Sequence, residues 1–227
     1  NNKDVQFITT WNTSDTFLNY AFAAPYLNVG GTSADDKNIL EVNDAKLKEA
    51  MTEFYNLKGA YAIDSITDEN YCIDKFKNGN IIYTIIQSER LSELDNSDVD
   101  YGVCKIPDIN NNLQSSSLSQ TTMAVVDPYT TSQEAAKAVA QALSYDYAAD
   151  MYNYCNKPSA RNDTKFSNHE ESYKNLYSVY ANSVVKAKFI GADEIYLRYE
   201  LMIKKIWSGT LVNDAVNEFE NMIKKVQ

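Results

Sequence analysis

Phe76-Lys77-Asn78-Gly79-Asn80-Ile81-Ile82-Tyr83-Thr84-Ile85-Ile86-Gln87-Ser88-Glu89-Arg90 is the stretch on which the fold turns. Phe76 reads as the end of a helix, and Gly79 as the residue that takes the positive φ needed to stop it. The run Ile81–Ile86 is short, apolar and β-branched, which predicts a buried strand rather than a helix. Gln87, Ser88, Glu89 and Arg90 then fall at the carboxyl end of that strand. In open α/β sheets this is where ligands bind, because the chain turns there and exposes side chains and backbone groups into a crevice.

Working outward, Tyr101-Gly102-Val103-Cys104-Lys105-Ile106-Pro107 predicts a second strand from Val99 to Ile106, which Pro107 cannot continue. This order (F-x-x-G, a strand, a ligand loop, Y-G-V-x-x-x-P) resembles the carboxyl-terminal lobe of the maltose-binding-protein-like extracellular solute-binding proteins of ABC transporters. Ser88-Glu89 stands where that family usually has a small residue and a tryptophan, so a more polar pocket is expected. Trp207-Ser208-Gly209-Thr210, with Ala215 beyond it, is similar to the family's closing helices, and Asn156-Lys157-Pro158-Ser159-Ala160-Arg161 to an element after one of its long helices. The resemblance implies an α/β, periplasmic-binding-protein-like fold of type II, mainly the carboxyl-terminal lobe with part of the amino-terminal one. Residues 1–117 would be the first part of the carboxyl-terminal lobe, 118–171 a returning segment of the amino-terminal lobe, and 172–227 the closing helices. Family members run to nearly twice this length, so a missing amino-terminal lobe, or a neighbouring chain in its place, is an expected partner.

Composition narrows the function. Among 227 residues, 31 are acidic and 21 basic, and no Lys/Arg block is long enough to track a phosphate backbone, which excludes nucleic acid as a partner. No run of about 18 apolar residues is present to span a bilayer. No charged-then-apolar leader precedes Val5, so a targeting segment is expected to have been removed or to lie upstream. Cys72, Cys104 and Cys155 lack C-x-x-C spacing and read as small buried residues, although a single bridge stays open. His169, the lone histidine, stands in a polar stretch and reads as a surface residue.

The flanking elements follow from local pattern. Val5–Thr9 alternates as a strand, Ser14 or Asp15 would cap the helix after it, and Pro25 ends or kinks that helix. Residues 28–37 read as a loop around Gly30-Gly31. Asn43 caps a helix carrying Leu47, Ala50, Met51, Phe54 and Leu57 on one face. Asp68 to Lys77 is a further short helix. Residues 108–120, rich in Asn, Gln and Ser, read as a mobile loop, Thr121–Val126 as a strand, and 133–155 as a long helix. Ile195, Leu197, Leu201, Met202, Ile206 and Trp207 suggest a buried helix. A last helix starts at Thr210 or Asn213. If the helix over 133–155 lacks part of its partner surface, it should expose an apolar patch.

No nucleophile elbow, phosphate loop or metal spacing occurs, so the chain reads as a binding protein and not an enzyme, with no cofactor. A sugar crevice needs aromatic faces and hydroxyl-pairing groups. Trp11, in a predicted strand-to-helix loop, is a stacking candidate. Gln87, Ser88, Glu89 and Arg90 are hydrogen-bonding candidates, and Glu89-Arg90 could equally be a solvated pair. The resemblance adds Asp15, Phe17 and Tyr196 at positions where the family has acidic or aromatic sugar contacts. Phe17 and Tyr196 could equally be core. It further implies the ligand-capturing component of a bacterial importer, closing by a hinge around an oligosaccharide and delivering it to a membrane permease. The protein would then be periplasmic or lipid-anchored outside the cytoplasmic membrane. A sensing or adhesive module of the same fold, or a paired-carboxylate glycosidase, is the alternative.

Overall fold

The computed structural model describes residues 4–63, 67–155, 159–161 and 170–226. Strand β1 (Phe7–Thr9) leads to the short helix α1 (Thr16–Asn19). Two 3₁₀ turns, Tyr20–Phe22 and Ala24–Tyr26, carry the chain into β2 (Leu27–Val29) and β3 (Leu40–Val42). Helices α2 (Asp44–Ala60) and α3 (Glu69–Lys77) precede β4 (Ile81–Tyr83) and α4 (Leu91–Asp95). Next come β5 (Leu118–Ser119), α5 (Gln133–Gln141), a π-helical turn (Ala142–Asp146) and α6 (Ala148–Cys155). Helix α7 (Glu170–Ala181), β6 (Val184–Val185), α8 (Ala192–Trp207) and α9 (Val212–Ile223) follow.

The helix boundaries are set by local chemistry. Asn43 caps α2 by accepting from the Lys46 amide, and Asp68 caps α3 by accepting from the Tyr71 amide. Gly79, at φ +71°, ends α3 with its amide on the Phe76 carbonyl. The chain can then enter β4, which pairs in parallel with β1 in the register Phe7↔Ile81 and Thr9↔Tyr83. Asp15 caps α1, which ends at Asn19 rather than at Pro25; the chain goes over to 3₁₀ turns from Tyr20, and Pro25 lies in the first turn of the second, where its missing N–H is tolerated.

The main core joins distant parts of the chain. Leu47, Ala50, Met51 and Phe54 of α2 face α8 and α9, which bring Tyr199, Met202, Ile203, Ala215, Val216 and Phe219. At its centre Phe54 lies 5.1 Å from both Phe22 and Trp207 and 6.5 Å from Trp11, ring centre to ring centre. Tilted contacts of this kind add to area burial. A smaller cluster of Ile73, Leu91, Leu94 and Tyr101 sits under α3 and α4.

Several expectations fail, each for a physical reason. The loop at 28–37 is the turn of an antiparallel hairpin whose strands, three residues each, are too short to show a period. Residues 99–106 and 121–126 form no ladder; the first run instead buries Tyr101 in the smaller cluster and packs Ile106 on the main core. The polar segment 108–120 is anchored, because Leu113 and Leu118 are buried and β5 pairs in parallel with β6. Leu197 and Leu201 lie on the exposed side of α8. Cys104 is exposed, whereas Cys72 is buried, which pushes its thiol up to about 12. His169 and Asn156–Pro158 lie outside the described residues, as does the side chain of Cys155.

Helix α5 and the π turn after it carry exposed apolar residues of the kind expected of 133–155. Val139, Leu143, Tyr145 and Tyr147 are exposed, as are Met123 and Val125 just before them. Among the described residues of 133–151, only Ala148 is buried.

Candidate functional site at the ends of the parallel strands

Because β1 and β4 run in parallel, the segments that leave their carboxyl ends emerge side by side. The Thr10 amide donates to the Tyr83 carbonyl at 3.4 Å, and the Thr84 hydroxyl donates to the Thr10 carbonyl at 2.9 Å. These bonds hold the loop before α1 against the loop that becomes the 3₁₀ turn Ser88–Arg90. The predicted positions Asp15, Phe17, Gln87, Ser88 and Glu89 all lie on these two loops or on the first turn beyond.

Their availability differs. Asp15 is half-buried; its Oδ1 accepts from the Leu18 amide at 2.8 Å and so caps α1. Phe17 is half-buried with one side on the main core. The Gln87 amide is tied to Glu69, Ser88 is exposed, and Glu89 is half-buried.

Three candidates are turned to other work. Trp11 is 2% exposed; its ring packs on Phe22 and Phe54 and its Nε1 donates to Asn19 Oδ1 at 2.9 Å. No face is left for stacking, because the chain after β1 turns inward before it reaches α1. Tyr196 is 6% exposed, packs on Tyr20, and accepts the Ala187 amide at its hydroxyl, so it too is core. Arg90 uses four of its five N–H groups within the protein: Nε on Glu93, Nη1 on Glu69, and Nη2 on both Asn70 and Glu93. The bond from Arg90 holds the Glu93 carboxyl below its usual range.

Glu200 was not foreseen. Its Oε2 accepts from the Thr16 hydroxyl at 3.2 Å, which sets α8 against the start of α1. Lys204 pairs with the same carboxylate and lowers its pKa. Leu197 and Leu201, one turn apart, are exposed on the same helix. The sequence signal was there, since Leu197 and Leu201 fall outside the stripe of Ile195, Tyr199, Met202 and Ile206. Thr16 thus brings Glu200 to the start of α1 beside Asp15 and Phe17, with Gln87, Ser88 and Glu89 on the neighbouring loop. Thr13, in the same loop as Trp11, keeps a buried hydroxyl without a partner.

Two grooves lie elsewhere. One of about 950 Å³ runs along the β2–β3 hairpin and β6. The other, of about 850 Å³, lies between residues 103–108, 114–117 and α7; its lining is mostly polar, with Lys105 and Asp108 among the Ser and Asn side chains, and includes no aromatic ring. Among the described residues no cluster of His, Cys, Asp and Glu is disposed to hold a metal, and no helix is long and apolar enough to cross a membrane.

No family profile and no curated protein matches the sequence. Solved structures do. The maltose-maltodextrin binding protein of Alicyclobacillus acidocaldarius superposes with a TM-score of 0.76 at 14% identity, over 95% of this chain and 61% of its own. The extracellular solute-binding protein of Staphylococcus aureus, solved with maltose, gives 0.76 at 14%, over 99% and 60%. The maltotriose binding protein of Thermus thermophilus gives 0.72 at 15%, over 96% and 60%. The chain has the solute-binding-protein fold. It spans about 60% of the length of these solute-binding proteins, and its α/β, periplasmic-binding-protein-like architecture is the one the opening motif implied.

Proposed function

We propose that the protein captures an oligosaccharide at the carboxyl ends of β1 and β4, as the substrate-binding component of a bacterial ABC importer. The observation that carries this reading is the convergence of Asp15, Phe17, Gln87, Ser88 and Glu89 at one end of a parallel strand pair, in a fold shared with proteins solved with maltose or maltotriose. Phe17 is the aromatic contact that remains, and the carboxylates of Asp15 and Glu89 pair with sugar hydroxyls. Glu200 extends this set at the start of α1. Capture would proceed by hinge closure: ligand held on this lobe bridges to a second one and shifts the open–closed equilibrium by its extra affinity for the closed form. The exposed arm at 121–155 supports a second lobe, since its apolar residues need a cover that residues 1–117 do not supply. The closed form would be recognised by the permease outside the cytoplasmic membrane, with the protein periplasmic or held by a lipid anchor.

The test is calorimetry and thermal shift of the complete protein, and of this chain alone, against maltotriose and a panel of other glycans. The complete protein is expected to bind at least one glycan, and this chain alone to bind it more weakly because half the contacts are missing. Equal affinities contradict capture between lobes. Binding of peptides or polyamines with no glycan bound contradicts the sugar assignment.

A further inference from the structure

We propose that Glu69 and Arg90 are a pair of positioning residues that hold the Gln87–Glu89 turn at the edge of the cleft. This rests on reading that turn as part of the ligand site.

The turn has little to hold it by itself. Ser88–Arg90 is a single 3₁₀ turn closed by the Arg90 amide on the Gln87 carbonyl at 3.0 Å, and so short an element is not stable alone. Ser88 is exposed, so its side chain does not bury the turn.

Glu69 supplies what is missing. It opens α3 directly after the Asp68 cap, where a carboxylate is favoured by the unpaired amides of the first turn. Its Oε1 accepts from the Gln87 backbone amide at 3.2 Å, and its Oε2 from Arg90 Nη1 at 3.1 Å. One carboxylate therefore pins the main chain where the turn begins and the side chain where it ends. Arg90 completes the bracket by reaching Asn70 at 2.8 Å and Glu93 of α4. Both partners are half-buried, with side-chain exposures of 22% for Arg90 and 17% for Glu69, and bonds that carry a charge are stronger than neutral ones. The turn is thus fixed to α3 and α4, which themselves rest on the cluster of Ile73, Leu91 and Leu94.

Amide exchange measured by NMR tests this without a ligand. In Glu69→Ala and in Arg90→Glu, the amides of residues 87–90 should exchange roughly tenfold faster, the scale of a charge-assisted bond lost, with α8 and α9 unchanged. Glu69→Gln keeps an acceptor for the Gln87 amide but loses the ion pair with Arg90, and should raise exchange less than Glu69→Ala does. Arg90→Lys keeps the charge and the apolar stem but cannot supply four bonds in the fork geometry of a guanidinium, and it should raise exchange at 87–90 even if the harsher variants fail to fold. Wild-type exchange at 87–90 in Arg90→Lys, or in Glu69→Ala, overturns the proposal. A failed glycan screen would count against the sugar reading and leave the exchange result standing.

Discussion

The buried phenol of Tyr199 donates at 2.9 Å to the backbone carbonyl of Asn19, which lies 180 residues earlier in the chain. Burial raises the Tyr199 pKa well above its ordinary value, so the hydroxyl stays a donor wherever the protein is folded. Removing it in Tyr199→Phe leaves that carbonyl buried without its partner. Denaturant titration should show a loss of about 1–3 kcal/mol, and a change within error of zero would mean that another donor takes the place.

Phe54 touches both tryptophans of the chain. Phe54→Ala should cost about 3–5 kcal/mol, the range for a large ring removed from a packed core. The same variant should alter tryptophan emission in the folded state, since Trp11 and Trp207 both border the cavity it opens. Destabilisation with unchanged emission would place the damage elsewhere.

Helices α2 and α9 meet through a carboxyl pair, Asp44 and Glu220, with Lys48 and Lys224 facing it. Desolvation, and then the bond to Asp44, raise the Glu220 pKa above its ordinary 4.5, whereas Asp44 is lowered by its bond to Lys48. Where the folded pKa is the higher one, the native state binds more protons and stability falls as pH rises. The Glu220 contribution is fully present below about 4.5, its unfolded value, and is lost as pH climbs through its folded value. Glu220→Gln keeps the donor at every pH. Its stability relative to wild type should therefore improve steadily with rising pH in a series of urea melts; a constant difference would refute the linkage.

Gly30 turns the β2–β3 hairpin at φ +84°, and a Cβ added there would sit 2.7 Å from the Ala34 backbone carbon. Gly30→Ala should cost more than the roughly 1–2 kcal/mol of the left-handed conformation alone, because backbone cannot yield as a side-chain tip can. Gly79→Ala, at φ +71° but with nothing within 4 Å, should cost only the conformational part. Thermal melts of the two variants would rank them, and equal losses would remove the clash from the account.

On the arm, Val139 and Leu143 are exposed. Val139→Lys and Leu143→Lys should change the stability of this chain by no more than about 0.5 kcal/mol, while reducing any self-association seen by sedimentation. A loss of several kcal/mol would show that the arm packs on this chain after all.

Features fixed by neighbours in sequence were legible before any coordinates. The cap at Asn43 and the stop at Gly79 each depend on a few consecutive residues, whereas the early end of α1 at Asn19, well before Pro25, does not show in the local pattern. Side-chain direction was harder to read. Trp11 does lie in the loop after β1, but whether its ring faces solvent or Phe54 is decided by a helix more than thirty residues away. Tyr196 and Leu197 are adjacent, and choosing which one faces outward requires knowing that Tyr20 waits on the inner side. Arg90 was legible as charged and loop-borne; that Glu69 would occupy it was not, because that contact spans 21 residues.

The parallel pairing of Phe7 with Ile81, and the closing of the core by Phe219, have a consequence for biosynthesis. Non-local contacts of this kind repay the entropy of bringing their ends together only once both ends exist. The Trp11–Asn19 segment therefore cannot settle fully until α8, which carries Tyr199, has been made. A nascent chain in that condition is a natural client for a holding chaperone.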